Sequence, residues 1–374
     1  MNMHKIFGKI LIGLLAICST TLGIVNAETR WDCCEQGCHL APAQPCCNDC
    51  GFFLGADFLY WNVRQANLDY AVDGRDDEFD DPFSVLSKGG ALGPGKMHFM
   101  DFDWETGFRV VAGWRFGCDG WDMRALFTCF HSKAHGSTKA NDLEGSRQLL
   151  EATLLSQNAK LFAQNAEKAS AKNSLDYDVV DLLISKPYCI SKTLISRPYL
   201  GIRALWMKQN LKAKYIGGEN DGESPSLISA DEPRIVKYNS DWEGAGLHAG
   251  LENNVRLCGC FSLYGNVSGS ILAGRNSSQN KQTGFESSQE KTLILDIKER
   301  EYTALPGYQI GAGINWETEW CDICYVINLG YEMTHWLHTP QIRRYSSEDH
   351  VGSTSANSGN ILLHGITFNA NVYF

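Results

Sequence analysis

Alternation of apolar and polar residues with a period of two is the feature that most constrains what this chain can fold into. In WETGFRVVAGWRF (residues 104–116), Trp104, Phe108, Val110 and Trp114 fall on one face, and the other face is mostly charged residues and glycine. That period predicts β-strands with one apolar face. Ten segments carry it: 52–63, 104–116, 121–129, 175–185, 198–206, 243–255, 261–273, 304–316, 323–333 and 366–374.

The connections between these segments fall into two length classes. Short turns lie at 117–120, 187–192, 257–260 and 318–322, and long polar stretches lie at about 64–95, 133–173, 209–236, 275–292 and 338–360. Short turns at one end and long loops at the other are typical of outer-membrane barrels. We therefore predict an all-β fold, a transmembrane antiparallel up-and-down β-barrel of about 10 strands (range about 10–14) with short periplasmic turns and long extracellular loops.

One long connection has a different composition. Residues 142–170 are rich in Ala, Leu, Glu, Lys and Gln, which have high helix propensity. The composition predicts one helical insert in that loop.

A soluble β-sandwich or a lipocalin-like barrel is the alternative. Such strands would expose Ser, Lys and Glu, whereas the polar faces here hold Gly, Asn, Ser, Thr and Arg mixed with carboxylates. A mean hydropathy of −0.24 excludes a bundle of transmembrane helices but not a membrane barrel. With a net charge of −10 and no basic block, a nucleic-acid partner is not expected.

The first residues predict export. Lys5 and Lys9 precede an apolar run at 10–17 and a small-residue cleavage site at 25–27, which is the pattern of a cleaved signal peptide. We expect a signal peptide over 1–27, a cysteine-rich periplasmic segment over 28–50 and the barrel over 51–374. The expected location is the bacterial outer membrane.

Cysteines concentrate near the short turns and in residues 31–50. In an exported protein, cysteines near one another usually form disulfides, although the spacings Cys258-Gly-Cys260 and Cys321-Asp-Ile-Cys324 also suit Zn²⁺. We favour disulfides and expect no metal and no cofactor. The disulfide candidates are Cys33, Cys34, Cys38, Cys46, Cys47, Cys50, Cys118, Cys189, Cys258, Cys260, Cys321 and Cys324.

Several blocks of sequence together resemble a known family. GADFLYWNVRQANLDYAV, WETGFRVVAGWRFGCDGWDMRALFT, YLGIRALWM, FSLYGNVSGSILAGR, INLGYEMTHW and LLHGITFNANVYF resemble the pore-forming major outer membrane proteins of the Legionella type, a family also found in environmental chlamydiae. The resemblance implies an outer-membrane β-barrel with porin or adhesin-like roles. It also implies that Phe374, at the end of the last strand, is an assembly signal. Residues 31–50 lie outside that pattern. Their richness in cysteine is similar instead to the disulfide-cross-linked envelopes of chlamydia-like bacteria.

The expected function is passive passage of ions or small solutes, combined with a disulfide-linked role in the envelope. The alternative is a non-conducting structural or adhesin-like barrel that is cross-linked through its cysteines. An enzyme is not expected, because no nucleophile motif such as GxSxG occurs. The expected partners are outer-membrane lipid, the permeating solutes and other cysteine-rich envelope proteins. The predicted pore-lining residues are Asp57, Glu105, Arg109, Arg115, Asp122, Arg124, Arg203, His248 and Glu332.

Overall fold

Ten long antiparallel strands dominate the described residues of this computed structural model. The description covers residues 51–73, 96–116, 120–143, 146–148, 150–156, 165–191, 193–218, 232–285, 290–320, 323–345, 354–355 and 358–374, all within one compact unit, Cys38–Phe374. The long strands are β1 (Gly51–Gln65), β2 (Glu105–Phe116), β3 (Trp121–Lys139), β4 (Lys168–Ser185), β5 (Leu194–Ile216), β6 (Arg234–Cys258), β7 (Phe261–Phe285), β8 (Lys291–Trp320), β9 (Ile323–Pro340) and β10 (Ser358–Tyr373).

These strands close into a ring. Each pairs with the next along the chain, and β10 returns to pair with β1 over a register that runs from Phe53 opposite Tyr373 to Gln65 opposite Ile361. The pairing of β3 with β4 completes the circuit. The predicted antiparallel barrel of about ten strands is confirmed, and closure leaves no unpaired edge along the ring.

In the part of the ring next to the short connections, apolar side chains point outward and polar side chains point inward. On β5, Leu200 and Ile202 point outward and are 54% and 57% exposed, whereas the side chain of Arg203 points inward and is 6% exposed. We call this part the belt half, since its outward surface is an apolar belt. This is the orientation that the sequence predicted for the strands.

Further along the same strands, the two faces exchange character. The outward face of β5 changes after Trp206 to Lys208, Asn210, Lys212 and Lys214, while the inward face changes to residues such as Leu205, Met207 and Leu211. The same change occurs on β3, between outward Cys129 and His131. We call this part, on the side of the long connections, the loop half. Its exterior is polar, and its interior holds an apolar core together with buried polar side chains such as Asn173, Gln209 and Asn276.

This exchange of apolar and polar faces explains why the predicted ends of the strands are wrong. The sequence predicts that the stretches 133–173, 209–236, 275–292 and 338–360 are long loops, yet part of each, and most of 275–292, lies in strands β3 to β10. Only 286–290 separate β7 from β8. In the described parts of these stretches, outward lysines and asparagines raise the polarity, while inward residues such as Ala134, Leu211 and Val236 remain apolar and continue the period of two. On β7 the inward positions Asn276, Asn280 and Gln282 are polar as well.

The predicted helix over 142–170 is also wrong for the described residues of that range. They form short strands, namely Asn141–Leu143, Ser146–Gln148, Leu150–Ala152, Asn165–Ala166 and the start of β4. Tertiary pairing overrides the helix propensity of this segment. None of the described residues forms a helix with the length and hydrophobicity needed to cross a membrane.

A small second sheet packs against the inward side of the loop half. It contains Leu150–Ala152, Asn165–Ala166 and two further short strands, Asp69–Asp73 and Met97–Phe99. The hydroxyl of Tyr215 on β5 donates to the carbonyl oxygen of Tyr70 at 2.7 Å. Four other short strands are Asp101–Phe102, Tyr188–Cys189, Arg344–Tyr345 and Thr354–Ser355.

Candidate functional site: the barrel interior

All nine residues predicted to line a pore occupy inward-facing positions in the belt half or at its edge. Seven of them are on β1 to β5, and the other two are His248 on β6 and Glu332 on β9. Their side chains are buried or half-buried. The structure does not arrange them as one ring around a channel. It brings most of them into three hydrogen-bonded clusters, of which the first two are joined through Gln309.

Arg109 organises the first cluster. Its guanidinium donates to Asp57 at 3.1 Å and to both oxygens of Glu332 at 3.1 and 2.8 Å. Asn369 donates to Asp57, and Gln309 donates to Glu332. Strands β2 and β9 are not neighbours in the ring, so this charged cluster crosses part of the interior. Sequence reasoning missed the two amides, because uncharged side chains gave no signal of a partner.

Arg203 organises the second cluster. It donates to both oxygens of Asp181, at 2.6 and 2.8 Å, in a bidentate pair. The same guanidinium reaches Ser270 and Gln309, each at 3.3 Å. Asp181 was not among the predicted residues. His248 lies alongside, with its Nδ1 2.8 Å from the Ser270 hydroxyl.

The third cluster lies nearer the short connections. Arg124 on β3 donates to Glu252 on β6 at 2.9 Å and lies 3.6 Å from Asp122. The hydroxyl of Ser185 donates to Asp122 at 2.5 Å. Arg124 also lies over the ring of Tyr199, 5.6 Å from its centroid.

Two predicted residues lie apart from these clusters. Arg115 lies over the ring of Tyr373, 5.3 Å from its centroid. Glu105 begins β2, opposite Trp61 of β1.

Beyond the charged clusters, toward the long connections, the interior of the loop half contains an apolar core. Trp61 packs on Phe130 with ring centroids 5.5 Å apart. The indole nitrogen of Trp336 donates to the Tyr177 hydroxyl at 3.1 Å. Sequence reasoning missed this core, although the reversal of apolar and polar positions along each strand was a usable signal for it.

Burial in this core changes the acidity of its phenols. Loss of contact with water raises the pKa of Tyr238 to about 12. The same cause raises the pKa of Tyr215 well above its usual value. Both side chains therefore remain neutral hydrogen-bonding groups at physiological pH.

The described cysteines lie mostly at the short connections, as expected. Cys189 is exposed between β4 and β5, Cys260 is buried in the turn before β7, and Cys258 ends β6. Cys324 is buried at the start of β9. The remaining candidates, Cys33, Cys34, Cys38, Cys46, Cys47, Cys50, Cys118 and Cys321, lie outside the described residues, as do the predicted segments 1–27 and 28–50.

Phe374 follows β10 with its side chain 60% exposed, and its backbone nitrogen donates to the carbonyl oxygen of Phe52 at 3.0 Å. Within the described ranges, no three His, Cys, Asp or Glu side chains are grouped so that they could hold a metal ion.

Solved structures that are similar to this chain include the outer membrane protease OmpT from Escherichia coli, with 11% identity, 87% of this chain and 97% of that chain covered, and a TM-score of 0.40. A major outer membrane protein from Thermus thermophilus has 9% identity, coverage of 87% and 99%, and a TM-score of 0.27. A Pseudomonas aeruginosa FadL homologue has 7% identity, coverage of 87% and 90%, and a TM-score of 0.25.

No curated protein matches this chain. The family model described as Legionella pneumophila major outer membrane protein precursor matches residues 43–374, which is most of the sequence and the whole of the ring. The chain therefore belongs to the Legionella major outer membrane protein family and is a β-barrel protein of the bacterial outer membrane.

Proposed function

We propose that this protein is a non-conducting structural barrel of the outer membrane. Its apolar belt lies in the bilayer, its short connections face the periplasm, and its loop half stands outside the cell. A bilayer requires about 9–11 residues of tilted strand, and strands such as β5 (Leu194–Ile216) are much longer. The outward reversal from Trp206 to Lys208 supports placing the bilayer surface at that level.

The observation that carries the proposal is the hydrogen bond between Trp336 and Tyr177. These residues lie on β9 and β4, which are on opposite sides of a ring of ten strands. Trp336 is fully buried, and Tyr177 is only 3% exposed. A direct contact across the ring leaves no room for a water-filled channel at that level. Narrow barrels are filled by their own side chains, and wide aqueous channels require about 16 strands.

The charged clusters below the core support the same function. In an open pore, charged side chains would face water, and their charges would select ions. Here Arg109 is hydrogen-bonded to carboxylates of the wall, and Arg203 is hydrogen-bonded to a carboxylate and an amide of the wall. The interior charges therefore act as cross-links between strands, and no catalytic role is assigned to them.

Single-channel recording from the purified full-length chain in planar bilayers tests this proposal. We expect no conductance above that of the lipid alone. Trp336→Ala combined with Tyr177→Ala should increase solute leakage, because the contact across the ring is removed. Trp206→Ala, which removes an outward-facing tryptophan, is the matched control and should have no effect. Stepwise conductance from the unmodified protein would refute the proposal and support a pore for ions or small solutes.

The structural role includes covalent linkage at the periplasmic rim. Support comes from the clustering of the described cysteines at the short connections, where Cys189, Cys258, Cys260 and Cys324 lie. Cys189 is an exposed free thiol at the same end, where it is accessible to a cysteine of the segment 28–50 or of another envelope protein.

Non-reducing electrophoresis of isolated envelopes tests this linkage. The unmodified protein should run as cross-linked species that reducing agent dissolves, and Cys189→Ser should remove some of them. Cys129→Ser is the matched control, because Cys129 is also a free thiol but lies in the wall on β3. A monomer with every cysteine open to alkylation would exclude the linkage.

A further inference from the structure

Four lysines lie side by side on the outward face of the loop half. In the sheet register Lys172 on β4 is opposite Lys212, Lys212 is opposite Lys237, and Lys237 is opposite Lys281. All four are exposed. Directly opposed residues on antiparallel strands have Cβ atoms about 4.5–5.5 Å apart, and like charges in such positions destabilise the sheet. We call these four residues the lysine row.

Acidic residues do not neutralise most of the lysine row. Lys281 has a partner, Asp296, at 3.8 Å. In the described part of the chain, the other three make no ion pair. Nearer the belt the charges are matched, with Lys208 3.5 Å from Asp241 and Arg275 2.5 Å from Glu243. Since the whole chain has a net charge of −10, this local positive excess is not a consequence of composition.

A depression in the outer wall lies between the lysine row and the apolar belt. It has a volume of about 610 Å³ and is lined by Ala273 and Ala304, with Tyr302 and the ion-paired Arg275 and Glu243 beside them. Ala273 and Ala304 are opposed in the register of β7 and β8, and their short side chains leave the wall hollow. Tyr302 is 85% exposed.

We propose that the lysine row and this depression bind the phosphorylated saccharide headgroup of a glycolipid in the outer leaflet, with the acyl chains lying on the apolar belt. The proposal rests on the bilayer placement given above but not on a closed interior. Phosphate groups would relieve the repulsion within the row, and the amphipathic depression would accept the sugar. The depression lies next to the belt, and the lysine row lies further along the same strands, so the side wall is continuous from the bilayer to the row.

Binding of purified diphosphorylated lipid A to the full-length protein in detergent tests the proposal. The test variant is Lys212→Gln with Lys237→Gln. Each lysine near an anionic lipid surface contributes roughly a factor of five, so we expect about a 30-fold weaker affinity. The matched control is Lys96→Gln with Lys291→Gln, which removes the same charge from exposed positions outside the row, and it should bind as the unmodified protein does.

Two further measurements make the result decisive. Without lipid A, the test variant should unfold at the same temperature as the unmodified protein or at a higher one, because like-charge repulsion is removed. Dephosphorylated lipid A should bind weakly to both. Equal affinity of the test variant and the unmodified protein, or equal binding of the two lipids, would overturn the site. If the protein binds neither lipid but still inserts into bilayers, only the lipid site is wrong; if it fails to insert, the bilayer placement is wrong as well.

Discussion

Arg109 shows how a single inward-facing residue connects distant strands. Its guanidinium is shared between Asp57 and Glu332, so its removal would leave two buried carboxylates without their cation. We expect Arg109→Leu to lower the free energy of unfolding by about 3–5 kcal/mol. Denaturant unfolding of the protein in detergent measures this change.

The control for Arg109 is an exposed ion pair. Lys208 and Asp241 are both about half exposed, so Lys208→Met should cost about 0–1 kcal/mol. Adding Glu332→Gln to Arg109→Leu should recover part of the loss, because one buried charge is removed. Equal costs for the buried and the exposed pair would mean that water fully solvates the interior around Arg109.

Glycines in the wall provide space on its inner face for aromatic side chains of nearby strands. A Cβ added at Gly330 would lie 2.0 Å from the Tyr264 hydroxyl and 2.6 Å from the carbonyl oxygen of Ala312. Gly330→Ala should therefore destabilise the protein by about 1–3 kcal/mol, as overpacking does. At Gly311 the nearest atom would be 3.7 Å away, so Gly311→Ala should be close to neutral. Thermal unfolding in detergent compares the two, and equal shifts would contradict the crowding at Gly330.

At the scale of the strand, the outward face of a single strand belongs first to the apolar belt and then to the polar exterior of the loop half. Outward Leu247 and outward Asn239 lie on the same strand, β6, on opposite sides of the reversal. We expect Leu247→Arg to cost about 2–4 kcal/mol, as a cation does at mid-bilayer, and Asn239→Arg about 0–1 kcal/mol. Reversible unfolding into lipid vesicles measures both. A similar cost at both positions would place the bilayer elsewhere.

The existence and phase of the strands could be predicted from the sequence, but their full length could not. The apolar outward positions of β3 stop at Cys129, and the sequence beyond it contains His131 and Lys133, which looks like a loop when only one phase of alternation is considered. The inward residues Phe130 and Ala134 continue the strand. The apolar residues change from the outward to the inward positions of the strand, because the medium around its outer face changes while the strand itself continues.

The interior clusters were only partly predictable for a related reason. A period of two assigns Arg109 and Glu332 to the inward face, but it does not specify which inward residues meet. Their contact depends on closure of the ring, which brings β9, β10, β1 and β2 together. Partners separated by 223 positions in the chain leave no local signal in one sequence.

At the scale of the whole molecule, the barrel continues as a folded body beyond the belt. In the loop half, β5 pairs with both β4 and β6, and its inward residues Leu211 and Tyr215 belong to the apolar core. Such backbone amides exchange slowly, because opening them breaks ladder hydrogen bonds and exposes apolar surface. We expect residues 208–215 to resist hydrogen exchange as strongly as residues 199–206 do.

Hydrogen-exchange mass spectrometry of the protein in lipid nanodiscs tests this expectation, since the lipid shields only the belt from water. Trp336→Ala is the informative variant, because it weakens the core of the loop half and leaves the belt intact. It should accelerate exchange in residues 208–215 more than in residues 199–206. If residues 208–215 exchanged at the rate of an unstructured peptide in the unmodified protein, the strands would end at the bilayer surface. The core that closes the interior would then be lost with them.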